Sequence, residues 1–84
     1  MSFAARLAAL PEGTFNGTAH GRRYVVTKSS FSGGKSVKLV AEELGGTDYI
    51  SLNWYDLKTG GALRPCEMPE SKVRAFVDAL DVTP

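Results

Sequence analysis

The segment SFSGGKS, residues 30–36, ends in the Gly-Lys-Ser triplet that closes a phosphate-binding loop. Such a loop needs an earlier glycine, so that the backbone can wrap the phosphates, and a following helix that supplies N–H donors. Here the earlier position is Ser29, and the residues after Ser36 alternate like a strand. We therefore predict a hairpin turn and no nucleotide or other cofactor.

A second candidate for chemistry is Cys66, in the segment RPCEMPE ahead of a predicted helix. A thiol near a helix N-terminus can become nucleophilic, which makes a thiol-dependent enzyme one alternative. The interpretation we favour is a core residue facing Trp54, because a free cysteine behaves as a small hydrophobe. A single cysteine excludes an internal disulfide and paired-cysteine zinc sites, and it indicates a reducing, cytoplasmic compartment.

The remaining reactive side chains are not grouped for catalysis. His20 is the only histidine and lies in a turn, without a nearby nucleophile in the sequence. Glu42 and Glu43 are consecutive on a predicted strand and so point to opposite faces. We predict neither a catalytic pair nor a metal site, and an enzyme is the less favoured interpretation.

Charge is distributed unevenly along a chain whose net charge is only +1. Residues 22–38 contain five basic residues and no acid, whereas residues 39–57 contain four acids and no base. The basic residues of the first segment are Arg22, Arg23, Lys28, Lys35 and Lys38. Basic side chains beside aromatic ones are typical of surfaces that bind single-stranded nucleic acid.

The elements that must position these residues are strands joined by Gly-Gly pairs at 33–34, 45–46 and 60–61. Glycine suits such turns because it adopts positive φ without steric cost. A turn at 45–46 places apolar residues opposite each other on one face and polar residues on the other. It pairs Val37 with Trp54, Leu39 with Leu52, Ala41 with Ile50, Lys38 with Asn53 and Glu42 with Tyr49.

The other connections between strands are predicted from less regular patterns of apolar and polar residues. A three-residue loop, Thr59 to Gly61, pairs Cys66 with Trp54 and keeps Glu67 out of the core. The first hairpin stays open between a register that buries Tyr24 and Val26 and one that buries Val25 and Phe31. Turns at Asn16-Gly17 and at His20-Gly21 predict a short additional edge strand over residues 14–19.

Helices are predicted at both ends of the chain. Val73, Phe76, Val77 and Leu80 have helical spacing, and Pro69 with Glu70 suits a helix start. Ser2 can cap a short first helix that Pro11 ends, and its apolar run is too short to span a membrane. With 43% hydrophobic and 23% charged residues, the chain is of the globular class.

These elements predict one α+β domain over residues 1–84: a four- or five-stranded antiparallel β-meander with a C-terminal amphipathic helix on one face. The predicted ranges are 1–11 for the N-terminal helix, 14–68 for the sheet and 69–80 for the C-terminal helix. The predicted core is Val37, Leu39, Ala41, Ile50, Leu52, Trp54, Cys66, Met68, Val73, Phe76, Val77 and Leu80.

The predicted register leaves an outer sheet face with Tyr49, Ser51, Asn53 and Tyr55 on one strand and Lys38 on its neighbour. Aromatic side chains on a sheet can stack bases, while lysine and arginine attract phosphates. Another protein or a second copy of the chain would also fit a small, partly apolar sheet face.

The segments RRYVVTKSSFSGGKSVKLVAEEL and YDLKTGGALRPCEMPESKVRAFVDAL loosely resemble the positive-cofactor type of single-strand-binding transcriptional coactivators. The resemblance covers most of residues 22–80 and rests on strand and helix order. It implies a curved antiparallel sheet that binds single-stranded DNA and a terminal helix that supports a dimer. It also implies that Arg22, Arg23, Lys28 and Lys38 are the cations to test.

We therefore predict a non-catalytic binding module with no membrane partner. The predicted ligand is single-stranded nucleic acid, and the alternative is a protein-interaction or homodimerisation module. The predicted binding residues are Arg22, Arg23, Lys28, Lys38, Tyr49, Asn53 and Tyr55.

Overall fold

The computed structural model describes residues 2–57 and 60–83 and shows an α+β fold, an open antiparallel sheet with two helices. The helices are α1 (Phe3–Ala9) and α2 (Glu70–Ala79). The strands are β1 (Gly13–Ala19), β2 (Arg22–Phe31), β3 (Ser36–Glu43), β4 (Tyr49–Leu57), β5 (Gly60–Pro65) and β6 (Asp81–Val82).

The sheet has six strands in the order β5-β4-β3-β2-β1-β6, so the predicted count of four or five was wrong. The strand missing from the prediction is β6, where the chain returns from α2 and pairs with Gly17 and Thr18. Two residues are too few to show an alternating pattern, so β6 has no recognisable signal in the sequence.

The β3–β4 pairing confirms the predicted register, with Leu39 opposite Leu52 and Val37 opposite Trp54. The β2–β3 pairing decides between the two registers that the sequence left open for the first hairpin, because Val26 lies opposite the buried Ala41. Tyr24 and Val26 therefore belong to the core face.

The β4–β5 register differs from the prediction. Trp54 pairs with Leu63 rather than with Cys66, and Leu57 pairs with Gly60. The predicted loop from Thr59 to Gly61 is therefore wrong at Gly60 and Gly61, which belong to β5. Lys58 and Thr59 lie outside the described residues. The glycine pair starts the strand and lets Trp54 pack over Gly61, whose missing side chain leaves room for the indole.

The predicted turn before β2 is present at His20-Gly21, whereas strand β1 runs through Asn16-Gly17 without a turn. Gly17 serves close packing instead. A Cβ atom there would lie 2.7 Å from Leu80 Cδ1 and 2.9 Å from the Asp81 carbonyl oxygen. The glycine thus lets the chain after α2 approach the sheet closely enough for β6 to pair.

Both helices pack on the same face of the sheet, which we call the inner face. The Ser2 side chain accepts a hydrogen bond from the Ala5 N–H, confirming the predicted cap of α1. Helix α2 starts at Glu70, with Pro69 as the residue just before it. The Tyr24 and Phe76 rings meet edge to face at 4.9 Å, which packs α2 against β2 at this point. The closest ring contact of α1 is Phe3 with Trp54, at 5.5 Å between centroids.

The core lies between the helices and the inner face. Of the predicted core, Trp54 and Met68 are only partly buried, and Cys66 is half-buried outside it. Five further residues belong to the core, namely Leu7, Ala19, Tyr24, Val26 and Leu63. No helix among the described residues is long and apolar enough to cross a membrane.

Candidate functional site

The opposite face of the sheet, which we call the outer face, is covered by neither helix. Because side chains alternate along a strand, each strand presents every second residue there. In β2 and β3 these are Arg23, Val25, Thr27, Ser29, Phe31, Ser36, Lys38, Val40 and Glu42; in the other long strands they are Thr14, Asn16, Thr18, Tyr49, Ser51, Asn53, Tyr55, Leu57, Ala62 and Arg64.

One line of paired residues across the outer face is basic. Ser29 pairs with Lys38, Lys38 with Asn53, and Asn53 with Arg64. We call these four residues the basic row. Lys38 and Arg64 are exposed, and neither has a carboxylate within 4.0 Å in the part of the chain that the structure describes. Their strands are two apart, which places these residues ~10 Å from each other. The row thus offers two cations that no carboxylate of the described residues neutralises.

The next line toward the β2–β3 turn is aromatic. It consists of Phe31, Ser36, Tyr55 and Ala62, which we call the aromatic row. Phe31 is 54% exposed and Tyr55 38% exposed. Two residues along a strand separate the rows, a distance of ~7 Å. Exposed rings therefore lie within reach of a ligand held by the cations.

The other end of β3 and β4 is acidic, and two cations beside it, Arg22 and Lys72, are engaged in ion pairs. Glu42 pairs with Tyr49 on the outer face. Glu43 forms an ion pair with Arg22 at 3.7 Å, and Asp48 forms one with Lys72 at 2.7 Å. We call Glu42, Glu43 and Asp48 the acidic end. Because Arg22 and Lys72 neutralise two of these carboxylates, Glu42 is the one that would repel a polyanion on the outer face.

Two pKa shifts accompany the contacts of the acidic end. Hydrogen bonds from Lys72 and then from the Tyr24 hydroxyl lower the pKa of Asp48. Burial raises the pKa of Tyr24, and the hydrogen bond to Asp48 acts in the same direction. These groups tie the segment before β4 to α2, which is a structural role.

Two of the predicted binding residues, Lys28 and Arg22, follow the inner-face phase and do not belong to the outer face. Lys28 is only 5% exposed and points under α1, where its Nζ donates to the carbonyl oxygens of Leu7, Ala8 and Leu10. Arg22 follows the inner-face alternation and pairs with Glu43. Their position in a basic segment suggested an exposed surface, whereas the strand phase turns them toward the helix side.

The structure places the other five predicted residues on the outer face, but not all together. Lys38, Asn53 and Tyr55 belong to the two rows, whereas Tyr49 and Arg23 lie at or beyond the acidic end. Sequence reasoning missed Arg64 and Phe31. Arg64 was missed because the predicted β4–β5 register is wrong, and Phe31 because the β2–β3 register was left open.

Cys66 lies on the outer face and not against Trp54. Its N–H donates to the Ser51 carbonyl oxygen at 3.0 Å, which continues the β4–β5 pairing by one residue. The Asn53 amide lies 3.6 Å from the sulfur. An amide cannot accept a proton from the thiol, and the hydrogen bonds described for residues 2–57 and 60–83 give the sulfur no basic partner.

The SFSGGKS segment forms the β2–β3 hairpin turn, as predicted, through one 3-10 turn at Ser32–Gly34. Strand β3 follows at Ser36 in place of the helix that a phosphate loop requires. Among the described residues, no three His, Cys, Asp or Glu side chains are close enough together to hold a metal ion.

Comparison with protein-family models, with curated proteins and with solved structures gave no match for this chain. The resemblance to single-strand-binding coactivators therefore stays a prediction, and the function has to be argued from the residues themselves.

Proposed function

We propose that the protein is a non-catalytic binding module whose outer face holds single-stranded nucleic acid. The observation that carries the proposal is the basic row beside the aromatic row. Exposed Lys38 and Arg64 lack acidic partners within 4.0 Å among the described residues, and exposed Phe31 and Tyr55 lie next to them.

The two rows match the two chemical parts of a nucleic-acid strand. Lysine and arginine attract phosphates and release counterions, which makes the binding sensitive to salt. Bases stack on aromatic rings, and each stacked base contributes ~1–3 kcal/mol. Stacking needs bases whose faces are free, so single strands fit this surface better than duplexes do.

The proposal favours recognition over catalysis because of the surroundings of Cys66. Its described hydrogen-bond partner is an amide, and His20 lies in the β1–β2 turn, with β3 and β4 between that hairpin and β5. A cytoplasmic location belongs to the same proposal, supported by the free thiol of the only cysteine.

The test is fluorescence anisotropy with a labelled 12-nucleotide oligo(dT), measured over a range of salt concentrations. The double variant Lys38→Gln/Arg64→Gln should weaken binding and reduce the slope of log K against log salt by ~1.4, that is ~0.7 for each lost phosphate contact. Tyr55→Ala should weaken binding by ~1–3 kcal/mol with little change of slope.

The matched control is Arg74→Gln, which removes an exposed cation from α2 on the helix side of the protein. It should leave both affinity and slope unchanged. The proposal fails if no oligonucleotide binds at low salt, or if the Arg74 variant weakens binding as much as the double variant does.

Self-association is the second candidate. The observation that favours it is the apolar end of the outer face, where Phe31, Tyr55 and Leu57 are 54%, 38% and 50% exposed. Exposed apolar residues grouped on one surface are typical of interfaces. Light scattering after size-exclusion chromatography should then show a dimer that Phe31→Ser dissociates, whereas a monomer at high concentration would remove this candidate.

A further inference from the structure

We infer that the bound strand crosses the sheet from β2 to β5, with its phosphates along the basic row and its bases on the aromatic row. This inference rests on the proposed function and specifies its geometry. It predicts a short site of about four nucleotides, at the lower end of the ~4–16 that single OB-fold domains hold.

The direction follows from the charges on the outer face. A path along β3 would run from Lys38 past Val40 to Glu42 and would bring phosphates to the acidic end. Arg23 lies beyond Glu42, so a strand could reach this cation only by passing a carboxylate. A path across the strands instead meets Lys38 and Arg64 without an acid between them, because Asn53 separates the two.

The side on which the bases lie follows from the neighbours of the basic row. On one side is the aromatic row, with Phe31 and Tyr55. On the other side lie Thr27, Val40 and Ser51, which offer no ring for stacking. Bases therefore gain stacking energy on one side only, which orients the strand on the sheet.

The length of the site follows from how many strands present residues that could contact a nucleic-acid strand. Beyond β2, strand β1 presents Thr14, Asn16 and Thr18 on the outer face and no cation. Beyond β5 the sheet ends, since β5 is an edge strand. The four strands between these limits span ~14 Å at their usual spacing, which holds about four nucleotides at ~3.4 Å for each nucleotide of a stacked strand. Arg64 also donates from Nη1 to the Leu63 carbonyl oxygen at 3.2 Å, which holds the guanidinium at that edge.

The experiment is an anisotropy titration of the full chain with labelled oligo(dT) of 2 to 12 nucleotides, at low salt. Affinity, corrected for the number of equivalent binding positions, should rise up to about four nucleotides and then stay constant. Arg64→Gln should weaken binding of the four-nucleotide probe by about threefold or more, while Arg23→Gln should leave it unchanged. Both arginines are exposed on the outer face, so the pair is matched in charge and setting.

Each outcome is decisive. A plateau near four nucleotides together with the difference between the two arginine variants supports the crossing path. Affinity that keeps rising to eight nucleotides or more, or an equal loss in Arg23→Gln, overturns the crossing path and leaves the proposed function intact. Absence of binding at every length overturns both. Thermal melting of the variants, expected to match the parent protein, separates lost binding from lost folding.

Discussion

Replacing Lys28 with methionine tests how α1 is held on the sheet. The Lys28 Nζ lies 2.8 Å from the Leu7 carbonyl oxygen, 3.2 Å from that of Ala8 and 2.9 Å from that of Leu10. The last carbonyls of a helix have no partner within the helix, and a cation there also interacts favourably with the helix dipole. Methionine keeps most of the volume and removes all three hydrogen bonds.

The expected loss of unfolding free energy is about 2–3 kcal/mol. The Leu7 bond is buried and its donor is charged, and such a bond contributes ~1.5–3 kcal/mol, while the Leu7 carbonyl oxygen keeps a second donor, the Leu10 N–H at 3.3 Å. The Ala8 and Leu10 bonds are only partly buried. Water can replace lysine there, so these two add ~0.5 kcal/mol each. Relief of the buried charge offsets part of the sum.

Urea unfolding followed by circular dichroism measures this effect. With a slope of ~1 kcal/mol per molar urea for a small domain, the midpoint of Lys28→Met should fall by about 2–3 M. Lys38→Met is the matched control, because Lys38 is an exposed strand lysine on the other face, and it should change stability by less than ~0.5 kcal/mol. Equal midpoints for the two variants would refute the reasoning. Hydrogen exchange should also lose its protection first in α1.

Two other substitutions test the packing of β6 and the contacts of the acidic end. Gly17→Ala places a Cβ atom 2.7 Å from Leu80 Cδ1 and should lower the free energy of unfolding by ~1–3 kcal/mol, measured by thermal unfolding. Asn16→Ala, one residue earlier and exposed, is the control, and equal melting temperatures for the two variants would contradict the close approach. The hydrogen bond from Lys72 is the main cause that lowers the pKa of Asp48. The ionised Asp48 therefore stabilises the fold above its unfolded pKa, near 3.8, and this contribution is lost as the pH falls through the lower folded pKa. Asp48→Asn should therefore flatten the decline of stability in acid, and an unchanged acid profile would mean that the Lys72 contact does not persist in solution.

The sequence predicts a strand register only where one face of the paired strands is uniformly apolar and the other uniformly polar. The β3–β4 register was predictable because Val37, Leu39 and Ala41 meet Trp54, Leu52 and Ile50, so that only one phase separates apolar from polar residues. The β4–β5 register was not, because Gly60-Gly61 has the composition of a turn while serving as strand residues beside the Trp54 indole. Close packing of a ring on a backbone leaves no mark in hydrophobic periodicity.

The same limit applies to the candidate site. Lys38, Asn53 and Tyr55 were placed correctly because they belong to the well-defined hairpin. Arg64 was missed because the β4–β5 register was wrong, and Phe31 because the β2–β3 register was open. A correct surface therefore needs every register, and so does a complete core, because Tyr24, Val26 and Leu63 were missed for the same reason.

Lys28 and Lys38 show why residue type alone could not separate structure from function here. Both are lysines on neighbouring strands within the same basic segment. Lys28 follows the inner-face phase, and the carbonyls that satisfy its charge belong to a helix 18 to 21 residues earlier, which no local pattern reveals. Lys38 follows the outer-face phase and has no acid within 4.0 Å among the described residues. The three hydrogen bonds to carbonyl oxygens near the end of α1 occupy the Lys28 ammonium group, so that Lys38 is the one of these two lysines that is available to a ligand. The difference follows from the strand phase of each residue.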